Sequence, residues 1–250
     1  MIDMHSRAVS IDLEDDMHIK IILSYPYNND NEYARLIIRE LKLLNIRGII
    51  FEGSTLLHNN VMVLGKGCTG IVVKALSSDG KVVALKIMRR DSNRASVKHE
   101  ANILKIVNSI GIGPKVIDYT EHILMMEFIE GVLIKDWLNT KHNKESRVRV
   151  IRDILEQCYR LDTIGVDHGE LSNMDKHVIV SSKGACIVDF ESASMNRRVS
   201  NLTSAVQYLF LHDNNLWNID RDRLIVALRA YKHDISREAF EELLRLMLNL

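Results

Sequence analysis

Three glycines, Gly65, Gly67 and Gly70, are followed further along the chain by the apolar run 82–85, which leads directly into Lys86. Glycine leaves its backbone N–H group uncovered, so this loop can fold closely over a row of phosphate oxygens. Lys86 ends the run V-A-L-K and can supply a point charge to the same phosphates. These residue types, in this order, indicate a site for a phosphorylated ligand.

The same glycine spacing occurs in dinucleotide-binding folds, where a helix begins at the third glycine. Here Gly70 is followed by three β-branched residues, 71–73, which favour a strand. The pattern G-x-G-x-x-G-x-V at residues 65–72, with V-A-L-K after it, resembles the protein-kinase superfamily over about residues 60–191. It is most similar to the small atypical branch, which includes the RIO-type kinases, the kinase subunit of the tRNA-modifying complex and the lipopolysaccharide sugar kinases.

The resemblance implies an ATP site. Glu100, on a helix predicted over residues 92–109, matches the family glutamate that pairs with the strand lysine, here Lys86; the alternative is a solvated helix glutamate. Residues 127–129 match the hinge whose backbone groups bind the adenine edge. The candidate ATP-binding residues are Leu64, Gly65, Gly67, Gly70, Val72, Ala84, Lys86, Glu100, Glu127, Phe128 and Ile129.

A second motif, H-G-E-L at residues 168–171, resembles the catalytic loop of the family. Glu170 occupies the position of the family's catalytic aspartate. Its extra methylene moves the carboxylate by about 1.5 Å, and a misplacement of about 1 Å can cost ~10²-fold in rate. Two hypotheses follow: Glu170 accepts a proton from the acceptor hydroxyl or orients that hydroxyl, or the chain is a pseudokinase.

The metal ligands implied by the resemblance begin with Asp189, which opens the run D-F-E after an apolar strand. The second metal ligand is either of two residues, Asp175 or His177. Asp175 lies five residues after Glu170 and offers a carboxylate that suits Mg²⁺, so it is preferred. His177 directly precedes the strand 178–180, and imidazole is a poorer ligand for Mg²⁺. The candidate catalytic residues are Glu170, Lys86 and Asp189.

The predicted fold is α+β and bilobal, like a protein kinase, with an antiparallel-sheet N-lobe (59–130), a reduced helical C-lobe (131–250) and an α+β appendage (1–58). The predicted activity is ATP- and Mg-dependent phosphotransfer, with serine or threonine of a protein, this chain included, as the favoured acceptor. Glu191 replaces the family glycine, and D-F-E also resembles choline-kinase-like and aminoglycoside phosphotransferases. A small-molecule kinase therefore stays open, as does a nucleotide-binding pseudokinase or ATPase that switches a partner complex.

Composition restricts the partners. Lys+Arg and Asp+Glu are both 33, so no net field favours nucleic acid or a charged membrane, and nucleic acid is only weakly supported as a partner. No apolar run has the ~18 residues of a transmembrane helix, and the N-terminus lacks a signal-peptide pattern. The three cysteines show no paired or metal-type spacing, which fits a reducing compartment. We expect a cytoplasmic protein without a membrane partner.

The remaining predictions concern the elements around these motifs. In the appendage, residues 29–31 should cap an amphipathic helix over 34–44 that Gly48 ends, and 19–23 and 49–51 should be strands. This segment is interpreted as a brace for the N-lobe, with docking of a partner complex as the alternative. The C-lobe should contain helices over 134–139, 146–163, 202–211, 221–231 and 236–250, too little for the peptide-binding platform of large kinases. The pairs Arg89-Arg90 and Arg197-Arg198 are interpreted as solvated surface, with contact to an acidic or nucleic-acid partner as the alternative.

Overall fold

The computed structural model describes residues 8–10, 17–27, 30–211 and 219–248. It divides into two compact units. The first comprises Met1–Lys105 and Pro114–Phe128, and the second comprises Ile106–Gly113 and Ile129–Leu250. The mixture of antiparallel sheet and helices agrees with the predicted α+β class.

An antiparallel sheet is the basis of the first unit. The strands of this unit are β1 (Ala8–Ser10), β2 (Ile46–Ile50), β3 (Thr55–Leu56), β4 (Met62–Val63), β5 (Gly65–Lys66), β6 (Gly70–Ser77), β7 (Val82–Met88), β8 (Val116–Tyr119) and β9 (Ile123–Glu127). The sheet has the strand order β1-β2-β6-β7-β9-β8, with β5 paired to β6, while β3 and β4 pair separately. The helices are α1 (Met17–Leu23), α2 (Asn31–Leu43) and α3 (Lys98–Asn108).

The amphipathic helix predicted in the N-terminal segment is confirmed as α2. Asp30 caps it, because its carboxylate accepts a hydrogen bond from the backbone N–H of Tyr33 at 3.0 Å. Asn29, which was expected to share this role, lies outside the described residues. Gly48 does not end the helix, and that prediction is wrong: α2 stops at Leu43, Asn45 adopts a left-handed φ of 55°, and Gly48 lies within β2.

The strand predicted at residues 19–23 is also wrong, because these residues belong to helix α1. Ile19, Ile21, Ile22 and Leu23 are all buried, and Lys20, the one polar residue among these five, is too little to mark a helical period. A short run that is apolar except for one residue fits a buried strand and a buried helix equally well, and periodicity cannot separate them.

The N-terminal segment shares one apolar core with the sheet. The core joins residues of α1 and α2 to residues of β6, β7 and β9, for example Ile22, Leu41, Val73, Leu85 and Ile123. Strand β2 continues the sheet by pairing with β6. These contacts agree with a brace, while the boundary at residue 58 stays a prediction.

The second unit combines a small antiparallel sheet with helices. Strands β10 (Gly131–Leu133), β11 (Val178–Ser181) and β12 (Gly184–Ile187) pair in that order. The helices are α4 (Ile134–Leu138), α5 (Lys144–Thr163), α6 (Asn201–Val206), α7 (Arg221–His233) and α8 (Arg237–Leu248).

The helices predicted for the C-lobe are therefore confirmed within a few residues, with one difference. The last part of the predicted helix 202–211 is a π-helical turn, Gln207–Leu211. Among the described residues, no helix is both long and apolar enough to cross a membrane. Cys68 is exposed, Cys158 is buried and Cys186 is half-buried.

Candidate functional site

The glycine loop lies between β5 and β6 in the first unit. The N–H of Gly67 donates to the carbonyl of Gly70 at 2.8 Å, which closes the loop tightly. Strand β6 begins at Gly70 and runs for eight residues. The chain therefore continues as a strand where the dinucleotide-binding arrangement would require a helix, and the predicted strand after Gly70 is confirmed.

Two of these glycines have distinct steric roles. A Cβ at Gly65 would meet nothing within 4 Å, so the space in front of this backbone is open to a ligand. A Cβ at Gly70 would lie 3.1 Å from the Cγ of Lys86 and 3.1 Å from the carbonyl oxygen of Ile87. The absence of a side chain at Gly70 therefore leaves room for the side chain of Lys86.

Lys86 and Glu100 form a buried ion pair. The Lys86 Nζ lies 2.8 Å from a carboxylate oxygen of Glu100, and each side chain is only 5% exposed. Lys86 stands on β7 opposite Val72 of β6, and Glu100 lies in the first turn of α3. The negative partner stabilises the charged form of a lysine that burial would otherwise neutralise. The prediction that Glu100 pairs with Lys86 is confirmed geometrically.

Several of the other residues predicted to bind ATP lie on or between strands of the first unit. Val72 and Ala84 belong to the neighbouring strands β6 and β7, and Leu64 links β4 to β5. At the predicted hinge, the N–H of Glu127 already donates to the carbonyl of Lys115 at 2.9 Å. The contribution of Glu127 to adenine binding is therefore limited to its carbonyl group. The roles of Leu64, Val72, Ala84 and Glu127 in ATP binding stay predictions.

Phe128 and Ile129 complete the predicted hinge. The Nζ of Lys74 lies 4.8 Å from the centroid of the Phe128 ring, a cation–π contact that fixes the aromatic side chain. Phe128 is the last residue of the first unit, and Ile129 begins the second stretch of the other unit.

Arg89 contacts the glycine loop, so the interpretation of this residue as solvated surface is wrong. Its backbone N–H donates to Thr69 O at 2.7 Å, and its guanidinium donates to Gly67 O at 3.1 Å. Asp91 holds the guanidinium through two hydrogen bonds of 2.8 Å, and the group lies 5.1 Å from the centroid of the Tyr25 ring. Arg89 therefore fixes the glycine loop and connects it to the N-terminal segment. An arginine directly after a strand gives no sequence signal for this contact.

The second unit contains the motif around Glu170. Before it, the backbones of Asp167 and Ser194 exchange hydrogen bonds of 2.9 and 2.8 Å. The backbone N–H of His168 donates to Asn201 Oδ1 at 2.8 Å, and its ring Nε2 lies 3.0 Å from Val188 O. Burial lowers the pKa of His168 to about 4, so its ring is neutral at pH 7 and acts as a structural support.

A buried carboxylate holds the other side of this motif. Asp162 accepts hydrogen bonds from the backbone N–H of Asn201 and Leu202 at 3.0 and 3.2 Å, and from the Tyr231 hydroxyl at 2.9 Å. Burial raises the pKa of Asp162, while these donors oppose that shift. Asn201 in turn supports His168, so α5, α6 and α7 together position the loop that carries Glu170.

Glu170 has two partners in the second unit. One carboxylate oxygen lies 2.9 Å from His177 Nε2, and the other accepts a hydrogen bond from the Ser192 hydroxyl. The side chain of Glu170 is 42% exposed, whereas His177 is almost fully buried. Ser192 was not predicted as a site residue, since nothing in the sequence indicates that its hydroxyl reaches Glu170.

The predicted metal ligands have different surroundings. Asp189 has a left-handed backbone, φ 66° and ψ 70°, an unusual conformation for a residue with a side chain. Its Oδ2 lies 3.9 Å from the Nδ1 of His177, a buried nitrogen without a hydrogen-bond partner. Asp175 instead accepts a hydrogen bond from the Tyr208 hydroxyl and lies 3.9 Å from Lys135 Nζ. The structure thus brings His177 to Asp189, while the metal role of Asp175 stays a prediction.

These residues fit the groups that a phosphotransferase requires. The open space before Gly65 and the charge of Lys86 suit a phosphate chain, and the carboxylate of Asp189 suits a divalent cation. The orphaned Nδ1 of His177 adds a nitrogen beside Asp189 that a cation could use.

Comparison with known proteins gives two findings. A protein of Methanocaldococcus jannaschii described as uncharacterized is 33% identical over 85 residues, which cover 34% of this chain and 72% of that protein. The model of the RIO domain matches residues 72–203, a range that begins just after the glycine loop and contains Lys86, Glu100, Glu170 and Asp189. The predicted resemblance is confirmed: the chain belongs to the RIO domain family, a family of atypical protein kinases that use ATP and a divalent metal ion.

Proposed function

We propose that this chain is an atypical serine/threonine protein kinase that transfers the γ-phosphoryl group of ATP to a hydroxyl of a protein, including its own. The buried pair of Lys86 and Glu100 is the observation that carries this proposal. A fixed, charged lysine beside a glycine loop is the arrangement with which kinases orient the phosphates of ATP. In this role Lys86 would bind the α- and β-phosphates, and the glycine loop would cover the phosphate chain.

The second unit supplies the groups for the acceptor. Glu170 would accept the proton of the attacking hydroxyl, and His177 would hold its carboxylate in place through the 2.9 Å contact. Asp189 would hold Mg²⁺, which is the preferred ion because hard cations favour carboxylate oxygens. An aliphatic hydroxyl, that of Ser192, already contacts Glu170, and this supports a serine or threonine acceptor.

The test is incubation of the full chain with γ-labelled ATP and Mg²⁺, alone and with cell extract. Label on protein supports the proposal, label on a small molecule supports a metabolite kinase, and label only in free phosphate supports an ATPase. The variant Lys86→Met should lose transfer. Lys81→Met is the matched control, because Lys81 is exposed and pairs with Asp79 at the adjacent turn.

A second candidate is a nucleotide-binding switch without phosphoryl transfer. It is favoured by the contacts of Glu170, because His177 and Ser192 together occupy both carboxylate oxygens. An external acceptor would have to displace one of them. Tight ATP binding measured by calorimetry, without label on any acceptor, would select this function over the kinase.

A further inference from the structure

Ser192 and Glu170 are arranged as a nucleophile and its base. The Ser192 hydroxyl donates to one carboxylate oxygen of Glu170, and the other oxygen faces His177 Nε2 at 2.9 Å. A hydroxyl bonded to a basic group that a third group orients is the general geometry of an activated nucleophile. The hydroxyl occupies the position at the carboxylate that an acceptor hydroxyl needs.

The backbone around Ser192 is fixed on both sides. It ends the short 3₁₀ helix Phe190–Ser192, which begins next to Asp189. The carbonyl of Ser192 accepts a hydrogen bond of 2.8 Å from Arg197, whose Nε is 2.6 Å from the buried carboxylate of Asp167. Two residues later, Ser194 pairs with the backbone of Asp167. The chain therefore holds the hydroxyl at Glu170 through contacts that do not involve Glu170.

A glycine makes room for this arrangement. Gly169 has a φ of 89°, and a Cβ there would lie 2.4 Å from an Arg197 guanidinium nitrogen. Any larger residue would displace the arginine that holds the Ser192 carbonyl. The residue directly before Glu170 thus supports the position of its serine partner.

A second serine–carboxylate pair provides the contrast. The Ser200 hydroxyl lies 3.1 Å from Asp167 Oδ1. Asp167 is 4% exposed and is bound by Arg197, so its charge is already compensated and its access to substrate is restricted. Glu170, by comparison, is 42% exposed. Only the first of these two pairs combines a hydroxyl with an accessible carboxylate.

We propose that Ser192 is an internal phosphoryl acceptor, which the chain phosphorylates in cis; this rests on the proposed kinase function. Glu170 takes the proton of the Ser192 hydroxyl as the oxygen attacks the γ-phosphorus of ATP. The new bond joins Ser192 Oγ to phosphorus, and the bond from phosphorus to the β–γ bridging oxygen breaks. ADP leaves with that electron pair. The products are phosphoserine, ADP and one proton on Glu170.

Phosphorylation would also change the site. A phosphoserine carries a charge of about −1.5 to −2 at pH 7 and has lost its donor hydrogen. The phosphate group and the Glu170 carboxylate repel each other, so the two residues move apart.

The test uses the full chain, dephosphorylated and then incubated with γ-labelled ATP and Mg²⁺, with the modified residue identified by mass spectrometry. We expect phosphate on Ser192, and a fall of at least about tenfold in self-labelling for Ser192→Ala. Ser200→Ala is the matched control and should label within about twofold of wild type. In cis, the first-order labelling rate is independent of protein concentration, and a Lys86→Met chain mixed with wild type gains no phosphate on Ser192.

Several results would overturn the inference. Phosphate on another residue or on an extract protein, with none on Ser192, would leave the kinase function standing and reject the internal acceptor. Labelling of Ser192 that rises with protein concentration would reject the reaction in cis. Reduced transfer by Ser192→Ala without phosphate on Ser192 would make the serine a positioning residue. The absence of both ATP binding and label would reject the kinase function together with the inference.

Discussion

Removing Glu100 tests the pair that carries the proposed function. In Glu100→Ala the ammonium of Lys86, which is 4% exposed, loses a carboxylate at 2.8 Å. Breaking a buried ion pair by deleting one partner costs about 3–5 kcal/mol, a large part of the ~5–15 kcal/mol that stabilises an ordinary protein. We expect a loss of that size in the free energy of unfolding, measured by urea titration with both fluorescence and circular dichroism.

A double-mutant cycle separates the charge effect from the packing effect. Lys86→Met alone leaves the Glu100 carboxylate buried without this lysine, whereas Lys86→Met with Glu100→Ala removes both charges. The double variant should therefore be more stable than the sum of the single losses predicts, by about 0.5–3 kcal/mol. Additive losses, or a cost below about 1 kcal/mol for Glu100→Ala, would refute the conclusion that this pair is energetically coupled.

Four further predictions follow from individual contacts. Glu170→Gln should reduce transfer at least ~10²-fold with ATP affinity nearly unchanged, in single-turnover assays, because a base acts in the transition state; unchanged transfer would remove Glu170 from the mechanism. Arg89→Ala should speed amide hydrogen exchange in the glycine loop and weaken ATP binding, whereas Arg90→Ala, which removes a similar pair with Asp30 but no loop contact, should not; equal effects would reject the role of Arg89. Asp189→Ala should fold and lose most of the Mg²⁺-dependent rise in melting temperature that ATP produces, and a full rise would exclude it as a metal ligand. Burial lowers the pKa of His168 to about 4, so the unfolded chain binds more protons than the folded chain below about pH 6.5. The free energy of unfolding should therefore fall as the pH drops from about 6.5 towards 4, by about 2–3 kcal/mol between pH 7.5 and 4.5. Urea unfolding of His168→Gln should lack this part of the pH dependence.

The sequence alone determined the features that depend on neighbouring residues. The β-branched run after Gly70 set a strand there, and V-A-L-K placed Lys86 on the next strand. The spacing of apolar residues at a period of about 3.6 located helices α2 and α5 within a few residues. Local backbone preference and burial on one face are sufficient for such predictions.

Other features required the folded chain. Residues 19–23 form a helix in which every residue except Lys20 is buried in the core, and no local pattern records that environment. The residue with a left-handed backbone after α2 is Asn45, whereas the sequence suggested that Gly48 would end this helix.

The chemistry of the site depended most on tertiary structure. Glu170 meets Ser192 across 22 residues of sequence, and Arg89 meets Gly67 across the same separation. Asp189 approaches His177, whereas Asp175 instead contacts Tyr208 and Lys135. A motif fixes which residue types are present, but the direction of each side chain is set by strand register, helix packing and the buried partners of its backbone. Because those partners lie far apart along the chain, only the folded structure brings a hydroxyl to Glu170.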